Sequence, residues 1–123
     1  MENIREIEKN VIKQANYEIY QIPTGERYRD IRFIGYSYLI KMGQLPDRLN
    51  YEKMYSGYLE NLEGDTVNIL DNIYTMFNIN HPKDFKGHSL SISDVVVIKS
   101  ENTLKAYYVD DIGFKDITEH FFY

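Results

Sequence analysis

The sequence predicts an α+β fold: a mostly antiparallel sheet of about four strands with helices packed on one face. Val95, Val96, Val97 and Ile98 form an unbroken β-branched run, the pattern of a strand covered on both faces. A short polar link at residues 100–103 leads into a second β-prone run at 104–109, a spacing that closes an antiparallel hairpin. Upstream, residues 66–77 carry Val67, Leu70, Ile73, Tyr74 and Phe77 at helical spacing. At 123 residues, the chain is long enough for one modest core.

Residues 2–15 fit an amphipathic helix, with Ile4, Ile7, Val11 and Ala15 on one stripe and Lys9 and Lys13 toward the end where the helix dipole favours cations. Two units are therefore expected: this helix over 1–16 and an α+β domain over 17–123. A first strand over 17–22 alternates, and Pro23-Thr24-Gly25 is turn chemistry. Ile31, Ile34, Tyr38, Leu39 and Met42 predict a helix over 31–42 with Gly43 as its cap, although Gly35 weakens it. A second strand is expected over 51–58, interrupted at Ser56-Gly57. Asn61 to Gly64 read as a turn, and Asp65 or Thr66 as the N-cap of the next helix. Asn78 ends that helix, and His81-Pro82 forbids its continuation. The remaining strands fall at 94–99 and 104–110. In the last of them Leu104, Ala106 and Tyr108 share one face, and Lys105, Tyr107 and Val109 the other. Gly113 breaks the chain after Asp110-Asp111, in a backbone conformation other residues avoid. Residues 117–122 form a short terminal helix or strand.

Composition narrows the function classes. Hydrophobic residues make up 43% and charged residues 27%, the balance of a folded soluble protein. Without cysteine there are no disulfides, thiolate metal sites or cysteine nucleophiles. No apolar run approaches membrane-spanning length, and the charged start MENIREIEKN is unlike a secretory signal, so a cytoplasmic location is expected. Residues 1–54 hold nine Lys/Arg against eight Asp/Glu, whereas residues 55–123 hold five against eleven. That acidic half disfavours direct binding to a phosphate backbone and suits docking on a basic surface, such as the channel of a nuclease. Twelve tyrosines against six phenylalanines and no tryptophan suit both a half-exposed sheet and a protein interface.

The chemistry-bearing residues give no catalytic motif. His81, His88 and His120 match no metal-ligand spacing, so no metal and no cofactor are expected. Ser89, Ser91 and Ser93 beside His88 and Asp94 hold the residue types of a triad. They lie on one extended segment without a nucleophile elbow, and capping explains them more simply. Asp110 and Asp111, with Asp116 and Glu119 nearby, offer oxygen ligands for a hard cation, yet adjacent carboxylates at a turn commonly bond the backbone. Arg27, Arg29 and Arg32 cluster about Tyr28 and Phe33, a grouping able to hold anions or single strands; a solvated loop with paired arginines is the plainer reading.

Residues 84–98 (DFKGHSLSISDVVVI) followed by 106–114 (AYYVDDIGF) closely resemble the signature of the YodL-like domain family. YEIYQI at 17–22, RDIRF at 29–33, YEKMYSGYL at 51–59 and IYTMFNINHPKDF at 73–85 fit the same family, so the likeness runs over about 17–122. The resemblance implies a small bacterial protein or module of the kind carried by conjugative elements and phages, acting on a host cell or its defences.

Together these readings favour a non-enzymatic protein-binding module, an inhibitor of a host-defence nuclease of anti-CRISPR or anti-restriction type. Its expected partner is a host or element protein. Candidate contact residues are Arg29, Asp30, Arg32, Tyr107, Tyr108, Asp110 and Asp111; His88, Ser91, Ser93, Asp94, Gly113 and Phe114 are expected to hold the motif's shape. Two alternatives stand beside it. One is a small enzyme or ligand-binding domain with a polar site around His88, Ser91, Asp94, Tyr108 and Asp110. The other is an assembly module that dimerises through a sheet edge.

Overall fold

The computed structural model describes residues 15–59, 65–100 and 102–123. The expected N-terminal helix and the turn at residues 61–64 lie outside the described residues, apart from Ala15, which opens a strand instead.

Five strands form one antiparallel sheet: β1 (Ala15–Gln21), β2 (Glu52–Leu59), β3 (Val95–Lys99), β4 (Leu104–Val109) and β5 (Phe114–Asp116). Their spatial order is β2-β1-β3-β4-β5. All four expected strands are present. The fifth is a three-residue strand that Gly113, at φ 72°, turns back against β4.

Central position explains the valine run. Val95 and Val97 enter one apolar cluster and Val96 the other, so β3 buries side chains on both faces. Across the sheet Ile19, Val96 and Tyr107 lie abreast, as do Tyr20, Val95 and Tyr108. The alternation expected for β4 is observed, with Ala106 and Tyr108 in one cluster and Tyr107 and Val109 in or against the other.

The long helix, α2 (Thr66–Ile79), covers the first face. Asp65 caps it, its carboxylate accepting from the Asn68 N–H at 2.9 Å. Leu70, Ile73 and Phe77 bury against Tyr17, Ile19 and Val96, joined by Phe85 and Leu90 from the long segment that returns to β3. Shorter pieces cover the opposite face: α1 (Tyr36–Lys41) contributes Leu39 and α3 (Thr118–Phe122) contributes Phe121. No helix among the described residues is long and apolar enough to cross a membrane.

Two local expectations change. Ser56-Gly57 does not interrupt β2; Gly57 sits opposite Tyr17, and a Cβ there would lie 2.7 Å from the Tyr17 ring, so glycine lets a buried aromatic lie flat across the strand. The helix expected over 31–42 is broken in two. A 3₁₀ turn ends at Ile31, Phe33 takes φ 61°, and α1 begins only at Tyr36. Ile31 and Ile34 still pack against the second cluster, which is why their spacing mimics a helix. Gly43 does close α1, at φ 75°.

Candidate functional site

The interval between the two helical pieces meets the end of β4. Gly35 lies so close to Asp111 that a Cβ would approach its carboxylate carbon to 2.7 Å. Asp110 Oδ1 accepts from the Tyr36 N–H (2.9 Å) and the Asp111 N–H (2.8 Å), capping α1 from the far end of the sequence. The structure thus brings residues 34–36, which follow the Arg29–Arg32 stretch, against the Asp110-Asp111 pair.

Tyr108 does not belong to that surface. It is fully buried, and its hydroxyl donates to the Ile34 carbonyl oxygen at 2.6 Å; burial also pushes that hydroxyl's pKa upward. Tyr108→Phe removes the only donor in that bond and is expected to cost about 1–2 kcal/mol in urea denaturation. Tyr107 is half-buried and packs against the α2 cluster. Phe114 begins β5 half-buried, its ring 6.4 Å from that of Tyr74.

A second polar cluster forms beneath the GHSLSISD segment. Gln21, at the end of β1, is buried, and its Nε2 donates to the His88 carbonyl oxygen (2.8 Å) and to Asp94 Oδ2 (3.0 Å). Asp94 Oδ2 accepts also from the Ser91 N–H at 2.8 Å. His88 Nδ1 lies 2.7 Å from the Ser89 carbonyl oxygen, which accepts, and 3.2 Å from Gln21 Nε2, which donates, so the first contact suits one ring tautomer and the second the other. His88 Nε2 faces Asp94 Oδ1 at 3.9 Å. Burial pushes the Asp94 carboxyl up to about 7, against the opposing pull of the Ser91 N–H, the Gln21 amide and the His88 imidazole. Gln21 Oε1 is buried without a partner, close under Gly87, where a side chain would strike it.

The serines serve the backbone. Ser91 Oγ donates to the Ser89 carbonyl oxygen at 2.9 Å. Ser93 is buried at φ 84°; its Oγ accepts the Phe33 N–H at 3.0 Å and its carbonyl oxygen accepts the Tyr51 hydroxyl at 2.7 Å. Ser93 and Phe33 are the two non-glycine residues with positive φ among the described residues, and they are bonded to each other. Phe33 is 52% exposed, its ring 5.6 Å from the His88 ring and the Arg32 guanidinium 5.4 Å above it.

Two hollows flank this arrangement. One, of about 440 Å³, lies over Gln21, Thr24, Glu52, Met54, Lys86 and His88. Another, of about 530 Å³, is lined by Arg29, Asp30, Ile34, Tyr38, Met42 and Gln44. No group of three or more His, Asp or Glu placed to hold a metal ion occurs among the described residues.

The family model for the YodL-like domain matches residues 16–121. The chain belongs to the YodL-like family. No curated protein and no solved structure matches it. The matched span of the YodL-like domain contains every residue of both polar clusters, including Phe33, read from the sequence as part of the arginine cluster, and Gln21, which reasoning on side-chain chemistry passed over. Gln21 had left a signal: by strand alternation it shares the inward face of Tyr17 and Ile19, where a polar side chain needs a buried partner. The polar grouping expected from His88, Ser91, Asp94, Tyr108 and Asp110 is divided in the YodL-like domain. His88 and Asp94 meet Gln21, whereas Tyr108 and Asp110 fasten α1 and the turn before it.

Proposed function

We propose that this YodL-like domain is a non-enzymatic protein-binding module that docks through Phe33 and its mixed-charge surround. Its partner, on this reading, is a host-defence nuclease of CRISPR or restriction type, which the domain inhibits on behalf of a phage or conjugative element. The observation that carries the docking reading is the half-exposed Phe33 ring held at φ 61°, with its N–H tied to Ser93. A bulky residue in that region costs about 1–3 kcal/mol and persists where surrounding structure enforces it, commonly at functional sites. Arg29, Asp30 and Arg32, which precede Phe33 in the chain, and Asp110-Asp111, held against the following Gly35 and Tyr36, supply the polar rim that a central aromatic anchor requires. The Ser91 and Ser93 hydroxyls are occupied in holding shape, which leaves neither as a free nucleophile. The nuclease reading draws on the −5 net charge and on the mobile-element setting that the resemblance implies.

Affinity capture from a bacterial lysate, paired with a nuclease-interference assay, tests it. Wild-type protein is expected to retain a protein partner and relieve defence. Phe33→Gly should lose at least about tenfold in capture while folding stability stays within about 1 kcal/mol, because glycine adopts that backbone freely. Absence of any protein partner together with intact defence activity would overturn the proposal. The hollow beside Gln21 favours a second reading, a small polar ligand, which native mass spectrometry of the purified protein would reveal as added mass.

A further inference from the structure

We propose that two copies of this chain pair through β2, antiparallel and with Gly57 on the two-fold axis, so that their sheets run on as one. The pairing uses no residue of the Phe33 surface and stands apart from the docking reading.

The two ends of the sheet are closed to further strands in unequal ways. Edge strands that stay single are kept so by shortness, charge, proline or a bulge. At one end, β5 is three residues long and carries Lys115 and Asp116. At the other, β2 is eight residues long, and its safeguards gather at its start. Glu52 and Lys53 supply charge there, and a bulge falls where Tyr20 pairs with Lys53 and Ile19 with Tyr55. Past the bulge, Tyr55-Ser56-Gly57-Tyr58-Leu59 carries no charge and no proline, and keeps unbroken register with β1. Among the described residues no strand pairs with its outer side, and Tyr58 is 80% exposed.

A second copy is the fitting occupant because this run is complementary to itself. Tyr55, Gly57 and Leu59 share the face of Tyr17 and Ile19, whereas Ser56 and Tyr58 share the opposite face with Glu18. An axis through Gly57, perpendicular to the sheet, sets Tyr55 opposite the second copy's Leu59 and Ser56 opposite its Tyr58, each pair occurring twice. Apolar meets apolar and hydroxyl meets hydroxyl, and no like charges oppose one another. An axis through Ser56 would instead set Leu59 against Lys53. The two glycines abreast on the axis add no side chain, so the Tyr17 ring that lies across Gly57 keeps its place.

The helix layer adds apolar contact to the strand pairing. Tyr74 meets Phe114 of β5, so the other flank of α2, where Ile69 and Met76 stand seven residues apart, lies over β2. Ile69, Met76, Tyr55 and Leu59 are all half-buried against the first cluster. In the dimer both α2 helices stand on one face of the joined sheet, and these four residues of each copy close a single apolar trough. Burying that trough supplies affinity that an exposed strand edge alone lacks.

Sedimentation equilibrium of the full chain tests the pairing. Wild-type protein at about 100 µM is expected at twice the chain mass of 14.6 kDa, the behaviour of an interface of micromolar Kd. Ser56→Lys with Tyr58→Lys opposes like charges at both symmetric pairs and should raise the dimer Kd at least about tenfold. Ser56→Lys with Tyr58→Glu opposes unlike charges in the same places and should restore the wild-type Kd to within about threefold. Both side chains are exposed, so the urea midpoints of the two variants should match each other. A wild type that stays at 14.6 kDa would overturn the proposal, including one whose residue 55–59 amides are all protected from exchange because another segment of the chain covers them. A dimer that answers alike to both double variants would overturn it too, since its contact then lies elsewhere or in another register. Capture through Phe33 is read separately, and neither result decides the other.

Discussion

Phe77→Ala is expected to destabilise the domain by about 3–5 kcal/mol and to lower its Tm by roughly 10–20 °C. Phe77 is fully buried, and three aromatic rings close around it: Phe85 at 4.8 Å, Tyr55 at 5.5 Å and Tyr17 at 5.9 Å, all near edge-to-face. Those partners come from different elements. Tyr17 belongs to β1, Tyr55 to β2 and Phe85 to the segment leading to β3, so the ring is the point at which helix, sheet and long loop share one core. Truncation removes the transfer energy of the ring and leaves a cavity, because Tyr17 is pinned across Gly57 and cannot collapse inward. Tyr74→Ala is the internal control. Its ring is 38% exposed and meets only the rim residue Phe114 among aromatic neighbours, so about 1 kcal/mol is expected. Urea denaturation of the two variants side by side checks the contrast; equal losses would mean that the aromatic cluster is not the core's centre.

Much of this architecture was legible because each local pattern and the tertiary result agree. The Val95–Ile98 run needed a position with two covered faces, and the sheet order gives it one. The capped, amphipathic α2 needed one apolar neighbour and has it. Reading failed where long-range contacts overrode local pattern. Ile31 and Ile34 sit at helical spacing with Tyr38 and Leu39, yet Gly35 lies against Asp111 and Tyr36 is capped by Asp110, partners 74 or more residues away. β5 was invisible because three residues carry too little pattern to be read, and only pairing with Tyr107, Tyr108 and Val109 makes them a strand. Among site residues, the serines and Asp94 announced a tightly bonded turn, and the bonds are there. Tyr108 looked like a contact residue because a strand-borne tyrosine fits both a surface and a core; its burial follows from lying beside Val95 under α1. Phe33 was legible only as an aromatic in the arginine cluster; its positive φ gave no signal, since the Ser93 hydroxyl that ties its N–H comes from sixty residues away.

Folding stability should be greatest under mildly acidic conditions and fall as pH rises through neutrality, an inversion of the usual behaviour of a carboxylate-bearing protein. The Asp94 carboxyl stands at about 7 in the folded chain against an ordinary value of 3.8, because burial disfavours its charged form. Between those two values the folded state holds a proton that the unfolded chain has released, so the slope of stability with pH is negative there. Asp94's contribution is therefore complete below about 4 and gone above about 7, a loss of roughly 2–4 kcal/mol. Glu18 works in the opposite sense. Burial alone would raise it, but the Tyr20 hydroxyl, Lys99 and Lys53 together hold it below its usual value, so its share is present above that value and lost on acidification. The two slopes meet in a maximum near pH 4. Asp94→Asn keeps an oxygen for Gln21 and Ser91 and carries no ionisable proton. Its stability should stay level from pH 5 to 8, exceed the wild type at pH 8 and fall below about pH 4.5, where the Glu18 contribution is lost. Urea midpoints at half-unit pH steps decide the matter. A wild-type curve that rises between pH 5 and 8 would show that Asp94 is ionised at little cost, and that the burial of its carboxylate is compensated by the Gln21 and Ser91 hydrogen bonds.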